Sequence, residues 1–312
     1  MDTPRIVVQG SMLFDFFTKA KELPKVGQTV LGNYFGMFSG GKGSNQAVQL
    51  ARLGAEVYMI GRVGCDFMGD FLLDKLRSEG MDTAYIVRDD SIHTGLCAVH
   101  IDERGRNDII VVPLANTHCC REDVLKAESL ISSAEIVLCQ LETTVEAAYC
   151  AMELANRHGK PAVLNPAPAV EIPQEMVRWA YLFTPNETEA EFYSGINQND
   201  FAPEIWRELA AERLRELGAS RILITLGKDG CFYYDGKDKI HYPAFAVNAV
   251  DSTAAGDAFN AALAYALAMK KNIPEAIRYA NGAGSLAASR FGSQASLCNI
   301  AELEALLKER SK

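Results

Sequence analysis

The stretch Val250–Phe259 carries two carboxylates, Asp251 and Asp257, where a Tyr-, Phe- and Val-rich segment meets a run of alanine-rich helical composition. Ala255 and Gly256 leave room for a ligand to approach the main chain. A helix opening at Gly256–Asp257–Ala258 would gather free N–H groups and the positive end of its dipole at one point. That makes an anion site. A carboxylate inside an anion site suits one chemistry well. Asp257 would take a proton from a nucleophile while the N–H groups stabilise a transferring phosphoryl group. The same dipole is expected to lower the pKa of Asp257 and keep it ionised. The plainer alternative is a helix cap, the usual task of Asp and Ser at helix starts.

A second constellation is Ser39–Gly40–Gly41–Lys42–Gly43–Ser44–Asn45–Gln46, expected to open a helix over Asn45–Leu53. Gly36-x-x-x-x-Gly41–Lys42 imitates a phosphate-binding P-loop, but Gly43 stands where a magnesium-binding Ser or Thr is required. What remains is a glycine-rich turn where main chain can touch a polar ligand, with Lys42 and Asn45 as donors. Gly282-x-Gly284-x-x-Ala287 fits a loose dinucleotide pattern but falls inside a helical stretch, so it is set aside. Asp15 sits among Met12, Leu13, Phe14, Phe16 and Phe17. A lone carboxylate there is costly to desolvate, so it is either a paired core group or a ligand binder.

The elements that would position these groups alternate along the chain. Short apolar strands are expected at 5–10, 56–60, 84–87, 135–139, 161–164, 181–184 and 221–226, with a hairpin from Cys231 to Tyr242. Helices are expected at 67–79, 121–132, 144–158, 186–193, 203–217, 256–269, 273–289 and 299–309. This pattern predicts an α/β fold, a doubly wound, mostly parallel sheet flanked by helices. Ligands then bind at the carboxyl ends of the strands. The strand exits carry Ser11 and Asp15, Gln140 and Glu142, Asn165, Asn186 and Glu189, and Gly227. Two β-leaning excursions, about 16–39 and 94–113, interrupt the alternation. They predict a small β-sheet lid inserted into a single domain spanning 1–312; two edge hairpins on the main sheet are the alternative.

Whole-chain properties set the bounds. The 312 residues are 48% hydrophobic and 23% charged, with a net charge of −9. These are values of an ordinary soluble protein, and they leave no basic face for nucleic acid. No apolar run reaches membrane-spanning length. Met1–Arg5 has no signal-peptide character. The eight cysteines form no C-x-x-C pair, read as reduced, and fit a cytoplasmic location. The five scattered histidines offer no zinc site, and no G-x-S-x-G elbow supports a serine hydrolase.

Taken together, the chain resembles the ribokinase-like family of sugar and nucleoside kinases over essentially its whole length. The resemblance rests on Gly40–Ala47 and Asp251–Asp257, with Asn186–Glu187–Thr188–Glu189 and Thr225–Gly230 as further motifs. It implies that Asp257 is the base and that main-chain N–H groups of Ala254, Ala255, Gly256 and Asp257 form the anion hole. It implies that Asp15, Gly41, Lys42, Asn45, Glu142 and Asp251 hold the sugar, with Val111 as an apolar wall from the lid. Asn186 and Glu189 would organise magnesium and phosphates through water; Thr225, Gly227, Gly230 and Asn281 would line the ATP pocket beside Gly256. Asp251, Thr253, Ala287, Arg290, Gly292 and Ser296 would bind a potassium ion in the manner of the ribokinase branch.

The sequence departs from that pattern at Leu13, where ribokinases carry an asparagine two residues before the aspartate matching Asp15. Leucine cannot hydrogen-bond a sugar hydroxyl. The expected acceptor is therefore a pentose, ribose by default and 2-deoxyribose next. A nucleoside kinase, a sugar-phosphate kinase and a non-catalytic sugar sensor are the competing readings. The open edges of the small sheet suggest a homodimer through the lid.

Overall fold

The computed structural model describes residues 3–309; Met1 and Asp2, part of the start read above for a signal sequence, lie outside it. The described strands are β1 (Arg5–Gln9), β2 (Leu13–Ala20), β3 (Gly32–Gly40), β4 (Glu56–Gly64), β5 (Ile86–Asp89), β6 (Leu96–Asp102) and β7 (Asn107–Val112). They continue with β8 (Ile136–Cys139), β9 (Ala162–Leu164), β10 (Ala180–Phe183), β11 (Ile222–Thr225), β12 (Cys231–Tyr234) and β13 (Lys239–Tyr242). Nine of them form one sheet in the order β13-β12-β11-β10-β9-β8-β1-β4-β5. From β11 to β5 the neighbours are parallel; β12 and β13 close one edge antiparallel.

Burial on both faces explains the short apolar strands. Ile6 and Val8 of β1 join Ile136 and Leu138 of β8 in one core, while Val7, Val137 and Cys139 point into a second core on the other face. The first core is covered by helices Lys42–Arg52, Ala255–Ala268 and Ile273–Ala288; the second is covered by Val145–Arg157 and Pro203–Glu216. Helix Ala255–Ala268 is buried nearly all round, which its run of alanines permits at little side-chain entropy cost. Gly284 serves this packing: a Cβ there would come within 3.2 Å of the Ala255 carbonyl oxygen. The glycine pair at 282 and 284 is thus a helix-contact feature. No described helix is long and apolar enough to cross a membrane.

Chain order reverses at β1. From β1 the sheet grows through β4 and β5 to one side and through β8 to β11 on the other. Such a switch point opens a crevice at the carboxyl ends of the strands, and the exits of β1 and β8 meet there.

The other four strands form a separate sheet in the order β3-β2-β6-β7. It begins at Leu13, three residues before the expected segment, so Asp15 is a strand residue instead of a loop residue. Asn116 holds the places where this sheet joins the rest. It accepts from Met12 N–H (3.0 Å) and donates to the carbonyls of Met12 (2.8 Å) and Pro113 (3.0 Å). Further differences from the sequence reading are local. The first helix starts at Lys42, not Asn45, and a short helix, Gln174–Trp179, lies where none was expected. The helix expected at 121–132 is two, Arg121–Leu125 and Glu128–Ser133, and the strand expected at 84–87 lies at Ile86–Asp89.

Candidate active site

Helix Ala255–Ala268 begins abruptly. Ala254 adopts φ 59° and ψ 5°, a left-handed conformation uncommon for a residue with a side chain. The Ala255 N–H donates to Ser252 O (3.2 Å), and Ala258 N–H starts the helical ladder on Ala254 O (2.8 Å). Ala255 is therefore a member of the expected anion hole whose N–H is already used. Gly256 and Asp257 N–H have no acceptor among the described residues, and a Cβ at Gly256 would meet nothing within 4 Å. The open anion position is at Gly256–Asp257.

Asp257 is 7% exposed, and both carboxylate oxygens are engaged by consecutive residues of helix Lys42–Arg52. Asn45 Nδ2 donates to Oδ2 (2.9 Å) and Gln46 Nε2 to Oδ1 (3.1 Å). The expectation that the helix dipole depresses its pKa fails. Burial dominates and raises it, although Lys42, Asn45 and Gln46 all pull the other way. The carboxylate is thereby a stronger base than an aspartate in water. Burial opposes the Lys42 ammonium too, but the combined fields of Asp257, Glu142 and Glu189 outweigh it and raise the Lys42 pKa.

The glycine-rich turn lets these groups converge. Gly41 caps the helix at φ 90°, and a Cβ on Gly43 would stand 2.5 Å from the Gly10 carbonyl carbon and Ser11 N. With glycine there, the helix N-terminus sits directly on the exit of β1: Ser44 N–H donates to Ser11 O (2.9 Å). Glu142, after β8, accepts from Ser11 Oγ (2.6 Å) and Lys42 N–H (2.9 Å), bridging the switch point. Asp15 leans over this turn from β2, its carboxyl against Gly40. Its carboxyl is pushed up to about 7 by burial and by Glu142. Cross-strand register places Asp15, Cys97 and Val111 in one row of the small sheet, so Val111 lies on the face that carries Asp15. Leu13 shares that face by strand alternation and is 5% exposed.

A cleft of about 570 Å³ opens on the other side of Gly256. Asn186, Thr225, Gly227, Gly230 and Asn281 all line it. Sequence reasoning missed the wall supplied by Ala244–Val247 and Ala249 after β13 and by Ser285 and Ala288 of helix Ile273–Ala288. Asn281 holds this wall in place by donating to the carbonyls of Tyr242 (3.4 Å) and Pro243 (3.2 Å). Asn186 and Glu189 form a reciprocal capping box: Glu189 Oε2 accepts from Asn186 N–H (2.8 Å), and Asn186 Oδ1 from Glu189 N–H (2.8 Å). Burial raises the Glu189 pKa despite that bond.

Asp251 stands apart from the Asp257 cluster. One oxygen accepts from Thr253 N–H (2.9 Å) and Oγ1 (2.6 Å), the other from Gly292 N–H (3.0 Å). Burial works against its charge, but these bonds hold its carboxyl below the usual range. Val250 and Asp251 N–H both donate to Ala288 O (2.8 and 3.2 Å), bringing residues 250–253 against the loop after helix Ile273–Ala288. Arg290 spends its guanidinium on Glu302 (2.7 Å), which leaves its carbonyl for any ligand. Ser296 is fully buried and donates to Ser293 O (2.7 Å).

The family model for pfkB carbohydrate kinases matches residues 3–300. The chain belongs to this family. It is accordingly a phosphotransferase acting on a sugar hydroxyl. Among its relatives, a ribokinase of Bacillus subtilis is 38% identical, the match covering 97% of this chain and 99% of that one. A deoxyribokinase of Salmonella typhimurium is 31% identical, covering 97% and 98%. The structure of Arabidopsis thaliana ribokinase complexed with ribose and ATP superposes with a TM-score of 0.91 at 29% identity, covering 99% of both chains.

Proposed function

We propose that this chain is an ATP-dependent ribokinase, transferring the γ-phosphoryl group to the primary hydroxyl of D-ribose to give ribose 5-phosphate. One observation carries the reading. The buried, doubly held Asp257 lies at the open N–H groups of Gly256 and Asp257, beside a nucleotide-sized cleft and on the side of Lys42 and Asn45. The relative solved with ribose and ATP, and the curated ribokinase, support the choice of both ligands.

In this reading, Asp15, Glu142, Gly41 and Asn45 orient the sugar, and Val111 closes over its apolar side. Asp257 receives the proton of the primary hydroxyl as the phosphorus–oxygen bond forms, and ADP leaves. Lys42 and the N–H groups of Gly256 and Asp257 neutralise charge on the transferring group. Magnesium would neutralise phosphate charge. The described residues offer no cluster of three or more His, Cys, Asp or Glu side chains for it. Asn186 and Glu189 would hold the ion through water. A potassium ion suits the donor chemistry of Asp251 with Thr253, Ala287, Arg290, Gly292 and Ser296, since Asp251 already bonds Thr253 and Gly292. We further propose a single catalytic domain with the small sheet as its lid, a cytoplasmic location, and a homodimer through that sheet. Tyr34, Phe35, Ile109 and Ile110 are exposed on it, beside its open edge strands.

Leu13 favours a second acceptor, 2-deoxyribose, which lacks a hydroxyl that an asparagine there could bind. The test is ADP release with ribose, 2-deoxyribose, fructose and nucleosides, with and without potassium. Ribose should give the highest kcat/KM, with 2-deoxyribose second and potassium stimulating both. Sugar binding without ADP release would replace the kinase by a sensor.

A further inference from the structure

Behind the base lies a buried polar network. Gln46 is fully buried, and every hydrogen-bonding group of its amide is used. Nε2 donates to Asp257 Oδ1 (3.1 Å) and Asn165 Oδ1 (3.2 Å), while Oε1 accepts from Gln140 Nε2 (2.5 Å). Two donations from one planar amide fix its plane, and the bond from Gln140 fixes its flip state. The network then returns to the helix it started from. Asn165 Nδ2 donates to Thr184 O (3.2 Å), Thr184 Oγ1 to Asn260 Oδ1 (2.6 Å), and Asn260 Nδ2 to Gly256 O (2.9 Å). The base and the first turn beneath the anion position are thus referred to the same strand exits.

We propose that Gln46, locked by Gln140 and Asn165, is a positioning residue that fixes the rotation of the Asp257 carboxylate toward the sugar hydroxyl. The inference rests on Asp257 being the base. Asn45 holds the other oxygen and contacts the sugar in the proposed function, whereas Gln46 is assigned no sugar contact there and is fully buried. Its N–H bond favours the ionised carboxylate, as does Lys42 from the same helix, while Glu142 after β8 opposes it. Glu189, from helix Glu187–Ser194, carries a further negative charge nearby. Loss of the Gln46 donor should therefore move the acid limb of the rate profile to higher pH, an effect that simple loss of packing does not produce.

The experiment compares wild type, Gln46→Met, Gln140→Met and Asp257→Asn by kcat against pH, ribose KM and calorimetric ribose binding. Gln46→Met should lower kcat about 10- to 100-fold, the scale of one hydrogen bond to a charged group. Its acid limb should move upward, with ribose binding changed by no more than about threefold. Gln140→Met, which leaves Asp257 untouched, should shift both quantities the same way by less. Unchanged kcat and acid limb in a folded Gln46→Met protein overturn the proposal. If that variant does not fold, an unchanged acid limb in Gln140→Met overturns it. Near-normal turnover by Asp257→Asn would instead remove the base, and the proposal with it.

Discussion

Asp15 carries the clearest electrostatic consequence of the site. Its carboxyl titrates near 3.8 as an ordinary aspartate and is pushed up to about 7 in the folded chain, first by burial and then by Glu142. The folded state therefore binds this proton more tightly than the unfolded state. The associated stability is complete below about pH 4 and is lost as pH rises through about 7. Asp15→Asn should relieve that loss. Its melting temperature should exceed that of wild type at pH 8 and approach it at pH 5, as differential scanning calorimetry would read, while ribose affinity falls. An equal offset at both pH values would place the cost elsewhere. At Leu13, two residues before Asp15 on the same strand face, Leu13→Asn should raise the ribose to 2-deoxyribose ratio of kcat/KM by about tenfold or more. An unchanged ratio would show that this position does not face the sugar 2-hydroxyl.

The elements that carry these residues were unevenly legible in the sequence. Strand exits were readable, because short apolar runs in an alternating chain force a parallel sheet and polar groups at its carboxyl edge mark the crevice. Asp15 and Glu142 emerge from that logic, while Asp257 was readable from a carboxylate at a helix start and Asn45 from the glycine-rich turn. What escaped depends on main-chain geometry and on distant partners. Gly41 turns at φ 90°, so the helix opens at Lys42 and not Asn45, and Ala254 takes a left-handed conformation that nothing in its residue type announces. Gln46 looked like one more helix residue, since its partners Asn165 and Asp257 are 119 and 211 positions away. The raised pKa of Asp257 escaped for the same reason, as desolvation is a property of the packed molecule. Gly43 gives the element-scale prediction. A methyl group there meets main chain of Gly10 and Ser11 at 2.5 Å, neither of which can swing aside. Gly43→Ala should cost about 3 kcal/mol in urea denaturation and raise the ribose KM, while a stability near wild type would mean that the helix is not seated on β1 as described.

On the scale of the whole molecule, a nine-stranded sheet and a separate four-stranded sheet make up the fold. In the proposed function the first aligns two ligands and the second covers one of them. Open edges at β3 and β7, with Tyr34, Phe35, Ile109 and Ile110 exposed, require a partner surface in the proposed assembly. Light scattering at micromolar concentration should report a dimer, and Ile110→Asp should convert it to monomer; a wild-type monomer would refute the pairing. In the proposed function Asp257 is the base between nucleotide and sugar, so the most direct measurement is made on Asp257→Asn. Calorimetry should find ribose and nucleotide still bound, while turnover falls about 10²- to 10⁴-fold through loss of the general base. Turnover within a few-fold of wild type would contradict the account.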